Sequence, residues 1–287
     1  MPSAPVVLET IAAVRGAVAA ARAAGRTIAL VPTMGALHDG HLAHVTRVRA
    51  ADPGAFVVVS VFVNPLQFGA GEDFERYPRT LDDDAAKLAT VGADAIFAPS
   101  VAEMYPDGGA LVRVSAGAVG GTFEGAARPG HFDGALTVVA KLLHIVGPDV
   151  ATFGRKDAQQ LWLVSRMVRD LDFPVRIEEI EIVREPDGLA MSSRNRYLST
   201  TERAAALALS RSLAAAEAQA GAGAGAVLAA TQAVLAAEPG VEPGYVAVVD
   251  ASTFTPAPEG FRGPVIALVA ARVGATRLID NARFRLG

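Results

Sequence analysis

Over roughly the first 180 residues, short apolar runs alternate with longer stretches whose apolar positions return every three or four residues. The runs IALVPT (28–33), FVVVSVFV (56–63), AIFAPS (95–100), DVATFG (149–154) and VRIEEIEIV (175–183) predict strands. The β-branched run at 56–63 has almost no polar interruption, the pattern of a parallel strand covered on both faces. Residues 9–24, 41–50, 81–92, 134–146 and 158–171 predict helices, with Gly25 and Gly92 as stops and Asp82, Asp83 and Asp84 in a first turn. Strand and helix in alternation predict an α/β fold, a Rossmann-like doubly wound parallel sheet. In such sheets ligands sit in the crevice beyond the strand C-termini.

The pattern changes after residue 184. Helices over 201–218 and 227–237 flank AGAGAGA (220–226), a low-complexity stretch read as a spacer, and short strands follow near 245–250, 265–273 and 276–284. The expected organisation is therefore a larger domain over 1–184 and a smaller C-terminal α+β domain over 185–287.

Composition narrows the class. The strongest apolar run, AFVVVSVFV (55–63), is about half the roughly 20 residues a spanning helix needs. Glu9, Arg15 and Arg22 interrupt the first apolar stretch, unlike a signal peptide. A soluble, cytoplasmic protein with no membrane partner is expected. The net charge of −4 gives no general electrostatic case for nucleic acid. The chain has no cysteine, which excludes disulfides and thiolate chemistry.

Three polar clusters fall just after predicted strands, at 32–41, 64–69 and 154–157. In the first, His38 and His41 lie three apart across a helix start, where both rings can face one side. Exposed amides at a helix N-terminus favour an anion, and Gly35 and Gly40 let backbone come close. Imidazoles there suit phosphate oxygens on which charge builds. His44 raises a zinc alternative, although helical zinc pairs favour a spacing of four and no signature carboxylate is present. Loop-capping histidines are the plainer alternative. In the second cluster, Asn64 and Gln67 offer amides to a small polar substrate, or form an ordinary Asn-Pro turn. In the third, Lys156 is a point charge suited to phosphate, Asp157 a natural N-cap, and Gln160 lies one turn inside the helix. MSSRN (191–195) adds two hydroxyls and a guanidinium, and RPGHFDG (128–134) adds Arg128 and His131.

Taken together, PTMGALHDGH, VFVNPLQF, YPRT, RPGHFDG, GRKDAQQL and DGLAMSSRNRYLS resemble, in order and spacing, the pantoate–β-alanine ligase (pantothenate synthetase) family. The resemblance runs from about residue 8 to the end and is strongest over 28–200. The H-x-G-H element alone is similar to the wider nucleotidyltransferase superfamily, and MSSR looks like the counterpart of the mobile K-M-S-K-S loop of class I aminoacyl-tRNA synthetases. The resemblance implies condensation of (R)-pantoate with β-alanine, using ATP, through a pantoyl adenylate, with AMP and pyrophosphate released. It implies ATP contacts from Met34, Gly35, His38, Gly40, His41, Gly154, Arg155, Lys156, Asp157, Val183, Met191, Ser192, Ser193 and Arg194. His41 matches the proton donor, and His38, Lys156, Ser192, Ser193 and Arg194 complete the expected catalytic set. Gln67 is implied for pantoate and β-alanine and Gln160 for pantoate, with Asn64 and His131 in the same substrate site. Also implied are Mg²⁺ arriving with ATP, no dedicated metal site, no tightly bound cofactor, a second domain acting as a lid from the MSSR loop onward, and a homodimer.

Two positions depart from the family pattern. Arg155 stands where an acidic residue is usual, and Ala158 where an aromatic is usual. Arg155 is expected to point outward or to strengthen ATP binding, and Ala158 to leave less bulk on its helix. A sister nucleotidyltransferase acting on a phosphate is disfavoured by the paired amides of Gln67 and Gln160. A silent nucleotide binder would not need the full charged set, and a dinucleotide-dependent dehydrogenase lacks its G-x-G-x-x-G.

Overall fold

A computed structural model describes residues 4–69, 72 and 74–287. In it the chain divides into two units, residues 1–155 with 160–181 and residues 156–159 with 182–287. In the first, β1 (Val6–Leu8), β2 (Ile28–Thr33), β3 (Phe56–Val61), β4 (Ala95–Phe97), β5 (Val150–Gly154) and β6 (Arg176–Ile180) form one sheet in the order β1-β4-β3-β2-β5-β6. Every pairing in it is parallel. The helices of this part of the chain are α1 (Ile11–Ala23), α2 (Asp39–Ala51), α3 (Leu81–Val91), α4 (Val101–Met104), α5 (Glu124–Ala127), α6 (His131–Val146) and α7 (Ala158–Asp170).

The apolar strands sort their side chains by period two. Ile28, Leu30 and Val58 join the core formed with α1 and α6, while Ala29, Val31, Val57 and Val59 join the core against α2 and α3. Both faces of β2 and β3 are thus covered, which is why their sequence shows no polar alternation. The strand order turns at β2, which pairs with β3 on one side and β5 on the other. The switch point therefore lies between the C-terminal ends at Thr33 and Gly154.

Several boundaries move from those expected. The edge strand β1 was not predicted, and α2 begins at Asp39 with His38 as its N-cap. The strand expected over 95–100 stops at Phe97, because Ser100 caps α4 by accepting the Glu103 amide at 3.0 Å. Helix α6 starts earlier, at His131.

In the second unit β7 (Val241–Asp250), β8 (Gly263–Val273) and β9 (Thr276–Leu286) form an antiparallel sheet. Helices α8 (Thr200–Ala218) and α9 (Ala224–Ala236) share its core. The alanine–glycine stretch is only in part a spacer: a short turn over Ala220–Ala222 is followed at once by α9. Ser199 and Glu202 cap α8 reciprocally. Among the described residues no helix is long and apolar enough to cross a membrane.

Candidate functional site

The loop leaving β2 is built around two left-handed residues, Gly35 (φ +86°) and Ala36 (φ +52°). A side chain at Gly35 would place its Cβ 3.0 Å from Val61 Cγ1 and 3.2 Å from Asp84 Oδ2, so close approach and backbone angle both require glycine. The Thr33 hydroxyl accepts the Gly35 amide at 3.2 Å and donates to Ser60 O at 2.6 Å. Asp84, on α3 and fully buried, accepts the amides of Ala36 at 3.0 Å and Leu37 at 2.7 Å. Lys87 Nζ donates to Leu37 O at 2.7 Å.

The chain then enters α2. The His38 and His41 rings lie 4.0 Å apart between centroids, tilted by 35°. The His38 amide donates to His41 Nδ1 at 3.3 Å, so a neutral His41 carries its proton on Nε2. The His41 amide donates to His38 O at 2.8 Å. His44 takes a different part: its Nδ1 is 2.9 Å from Thr152 Oγ1, tying α2 to β5.

Gln67 closes a short turn, Pro65–Gln67, after β3. Its Nε2 lies 3.1 Å from Met34 Sδ, a weak acceptor, in the loop that leads to His38. Behind it, Asn64 is 1% exposed and donates to Gln67 Oε1 and to Gly134 O, both at 3.1 Å. Asn64 Oδ1 accepts from Tyr105 OH at 2.8 Å. Burial pushes the Tyr105 phenol up to about 12, keeping it a donor. Helix α6 comes so close that a Cβ at Gly134 would stand 2.1 Å from Leu66 O. His131 Nδ1 is 2.8 Å from Gln67 O and its ring also meets Arg128 Nη1, at 3.1 Å from Nε2. A guanidinium can only donate, so Nε2 accepts and Nδ1 carries the proton. Burial first, then the Arg128 charge, holds this ring below the usual histidine range. Arg128 is itself clamped by Glu72, at 2.9 and 2.6 Å, and its hydrogen bond holds that carboxyl below its usual range. Asn64 and His131 thus stand behind Gln67 and fix its side chain and its carbonyl. A cavity of about 270 Å³ opens at the ends of β2, β3 and β4, with Met34, Gly35, Phe62 and Thr80 in its walls.

After β5 the chain makes a turn over Arg155–Asp157. Arg155 Nε donates to Glu179 Oε2 at 2.8 Å and its Nη1 to Glu181 Oε1, which turns it along the β6 edge. Ala158 is buried, at 3% exposure. Gln160 falls in the first unit with His38, His41 and Gln67; Lys156 and Asp157 fall in the second. There Asn281, on β9, donates from Nδ2 to Lys156 O at 2.9 Å.

The second unit also holds Val183 and the Met191–Arg194 stretch. Met191 N donates to Val183 O at 3.0 Å, and Ser192 Oγ accepts the Arg194 amide at 3.2 Å, the capping role its residue type allows. Asn195 Nδ2 ties the stretch to Glu185 Oε1 at 2.7 Å and Ala190 O at 3.0 Å. Arg184 makes two bonds to Asp280, at 2.7 and 3.1 Å. Asp84, Tyr105, Gly134 and Asn281 were not foreseen from sequence. Asp84 reads there as one more acid in a helix first turn, Gly134 only closes the RPGHFDG stretch, and nothing near Tyr105 or Asn281 in sequence marks them.

A family model described as Pantoate-beta-alanine ligase matches residues 6–283. A pantothenate synthetase of Leifsonia xyli is 57% identical over 259 residues, covering 90% of this chain and 89% of that protein. One from Nocardia farcinica is 55% identical, with 96% of this chain and 85% of that protein covered. A crystal structure of pantothenate synthetase from Thermus thermophilus superposes with a TM-score of 0.88 at 47% identity, covering 96% of this chain and 98% of that one. The Francisella tularensis pantoate-beta-alanine ligase, crystallised with beta-gamma ATP and β-alanine, superposes with a TM-score of 0.77 at 30% identity, 97% of each chain being covered.

Proposed function

Because this chain belongs to the pantoate–β-alanine ligase family, we propose how its residues divide the labour of that reaction. The enzyme is an AMP-forming ligase that condenses pantoate with β-alanine, using ATP, to give pantothenate. A carboxylate is a poor acyl donor because oxide would have to leave. In the proposed sequence a pantoate carboxylate oxygen attacks the α-phosphorus and the bond to pyrophosphate breaks. The β-alanine amine then attacks the acyl carbon, the bond to AMP oxygen breaks, and the amine loses a proton.

One observation carries the assignment of roles. The Gln67 amide meets Met34 in the same loop that delivers His38 and His41 to the start of α2. An anchor for pantoate and donors for phosphate are thereby set on one short piece of chain. Gln67 Nε2, which among the described residues has a sulfur as its hydrogen-bond partner, gains by exchanging it for a carboxylate or hydroxyl oxygen. Gln160 serves as second pantoate anchor, while Asn64 and His131 hold Gln67. The His41 Nε2–H, with His38 and the first amides of α2, stabilises charge developing between the α- and β-phosphates. Lys156, Ser192, Ser193 and Arg194 supply further phosphate contacts, with Gly154, Asp157, Val183 and Met191 around the nucleotide, while Arg155 is held by Glu179 and Glu181. Mg²⁺ enters with ATP, held by phosphate oxygens and water as a reluctantly dehydrating ion prefers, and neutralises phosphate charge when bound. The H-x-G-H histidines and the MSSR stretch support placing the chain in the wider nucleotidyltransferase superfamily, with the C-terminal domain as lid. The family resemblance supports a cytoplasmic homodimer.

The test follows pyrophosphate and AMP from ATP, Mg²⁺ and pantoate, with and without β-alanine. Pyrophosphate release that needs pantoate, and sustained AMP formation that needs β-alanine, are expected. His41→Ala should slow the first step by about 10²- to 10³-fold. A His41→Ala enzyme as fast as the parent would overturn the role given to that ring.

A further inference from the structure

We propose that Asp84 is a positioning residue for adenylate formation, setting through its buried carboxylate the backbone that presents His38 and His41. The inference rests on the roles proposed above for those two histidines. An acidic residue in a helix first turn ordinarily serves its own helix, facing the exposed amides and the dipole there. Asp84 does otherwise. It is fully buried, and its oxygens accept amides from a segment far away in sequence, Ala36 N at 3.0 Å and Leu37 N at 2.7 Å. The Thr80 hydroxyl, one turn back, donates to the same Oδ2 at 3.3 Å.

Lys87, less than one turn further along α3, completes the clamp by donating to Leu37 O at 2.7 Å. Both backbone polar groups of Leu37, the residue immediately before His38, are therefore held by α3. The Leu37 side chain is buried at 2% exposure, so the residue is fixed from both sides. Ala36 holds a left-handed φ of +52°, a conformation that costs a non-glycine residue about 1–2 kcal/mol. The bond from its amide to Asp84 offsets that cost. Removing the bond frees Ala36 to relax, and the relaxation moves the residue that opens α2.

The clamp also has a consequence for phosphate recognition. With the Ala36 and Leu37 amides engaged by Asp84, the loop does not present them to a nucleotide. Phosphate contacts from this segment fall to the imidazoles and the start of α2. Displacement by about 1 Å at such groups is enough to cost about 10²-fold in rate.

Asp84→Asn keeps the shape but turns an amide group toward one of two backbone donors. Pyrophosphate release from ATP and pantoate should fall about 10- to 100-fold. Pantothenate formation from preformed pantoyl adenylate and β-alanine should stay within about threefold, because no pyrophosphate leaves in that step. The pantoate KM should stay within about twofold. An equal loss in both half-reactions would mark a merely structural role and overturn the proposal, as would parental rates in the first. Lys87→Met, on the exposed side of α3, covers the case in which the Asp84 variant does not fold. It should slow pyrophosphate release about fivefold while leaving pantothenate formation from preformed pantoyl adenylate within about twofold, and an unaltered rate of pyrophosphate release overturns the proposal. Should the parent enzyme itself release no pyrophosphate with pantoate, the histidine roles fail instead, a result distinct from either variant outcome.

Discussion

At the scale of the residue, His131 shows how a buried polar side chain fixes a neighbouring backbone carbonyl. Its ring can donate to Gln67 O and accept from Arg128 only while neutral. Burial and the neighbouring guanidinium depress its pKa in the folded protein, against about 6.5 in the unfolded chain. The unfolded chain therefore binds this proton more tightly. The stabilisation is complete above about pH 6.5 and is lost as the pH falls from there through the lowered folded value. His131→Gln offers a donor and an acceptor that do not titrate. Melting temperatures at pH 7 and pH 5 should fall less in the variant than in the parent. Arg128, Glu72 and Glu124 face the ring in both proteins, so the difference isolates His131. Equal slopes would assign the acid sensitivity to other groups. From the sequence, Asn64 and His131 could be placed after a strand end and beside a glycine, but not oriented. Whether an amide faces a cavity or a tyrosine forty residues on depends on α6 packing through Gly134, which leaves no local trace.

At the scale of the element, Arg155 illustrates how a strand edge decides a side chain's direction. It leaves the end of β5 beside β6, whose register sets Gly154 against Ile180 and so brings Glu179 and Glu181 alongside. With two carboxylates along that edge, the guanidinium is already satisfied there. Of the two expectations for this departure, the outward one has the geometry. Arg155→Ala is expected to leave ATP KM and turnover within about twofold, since its guanidinium is engaged by Glu179 and Glu181. Saturation kinetics in ATP would check it, and a tenfold rise in KM would return Arg155 to the nucleotide. The same sheet shows which elements were legible. Strands β2 and β3 announce themselves because both faces are buried, whereas β1 is three residues at an edge with Val6 and Val7 largely exposed. The apolar pattern of β6 runs past the strand itself, through Ile182 and Val183, after pairing has ended at Ile180. Alternating alanine and glycine carries no periodicity from which the start of α9 could be read.

At the scale of the whole molecule, the chain passes from the first unit to the second for Lys156–Gln159 and returns at Gln160. Composition put the main boundary near residue 185, and no sequence signal separates Lys156 from its neighbours, because the excursion is set by a partner far along the chain. That partner is Asn281, 2% exposed on β9, whose amide donates to Lys156 O. Its neighbour Asp280 holds Arg184, which opens the segment leading to Met191–Arg194. Two consecutive buried polar residues on one strand thus hold the backbone at Lys156 and the side chain of Arg184, which precedes the second stretch to which phosphate contacts have been given. Pantoate has its proposed anchors, Gln67 and Gln160, in the other unit. Asn281→Ala leaves Lys156 O without this donor, a loss of about 1 kcal/mol for a part-buried hydrogen bond. The effects on the two substrates should therefore separate. ATP KM is expected to rise and adenylate formation to slow about tenfold, with pantoate KM unchanged. Pyrophosphate release measured across both concentrations reads the two constants together. If pantoate KM rose as steeply as ATP KM, Asn281 would be supporting the fold at large, and the division of nucleotide and pantoate duties between the units would fall with it.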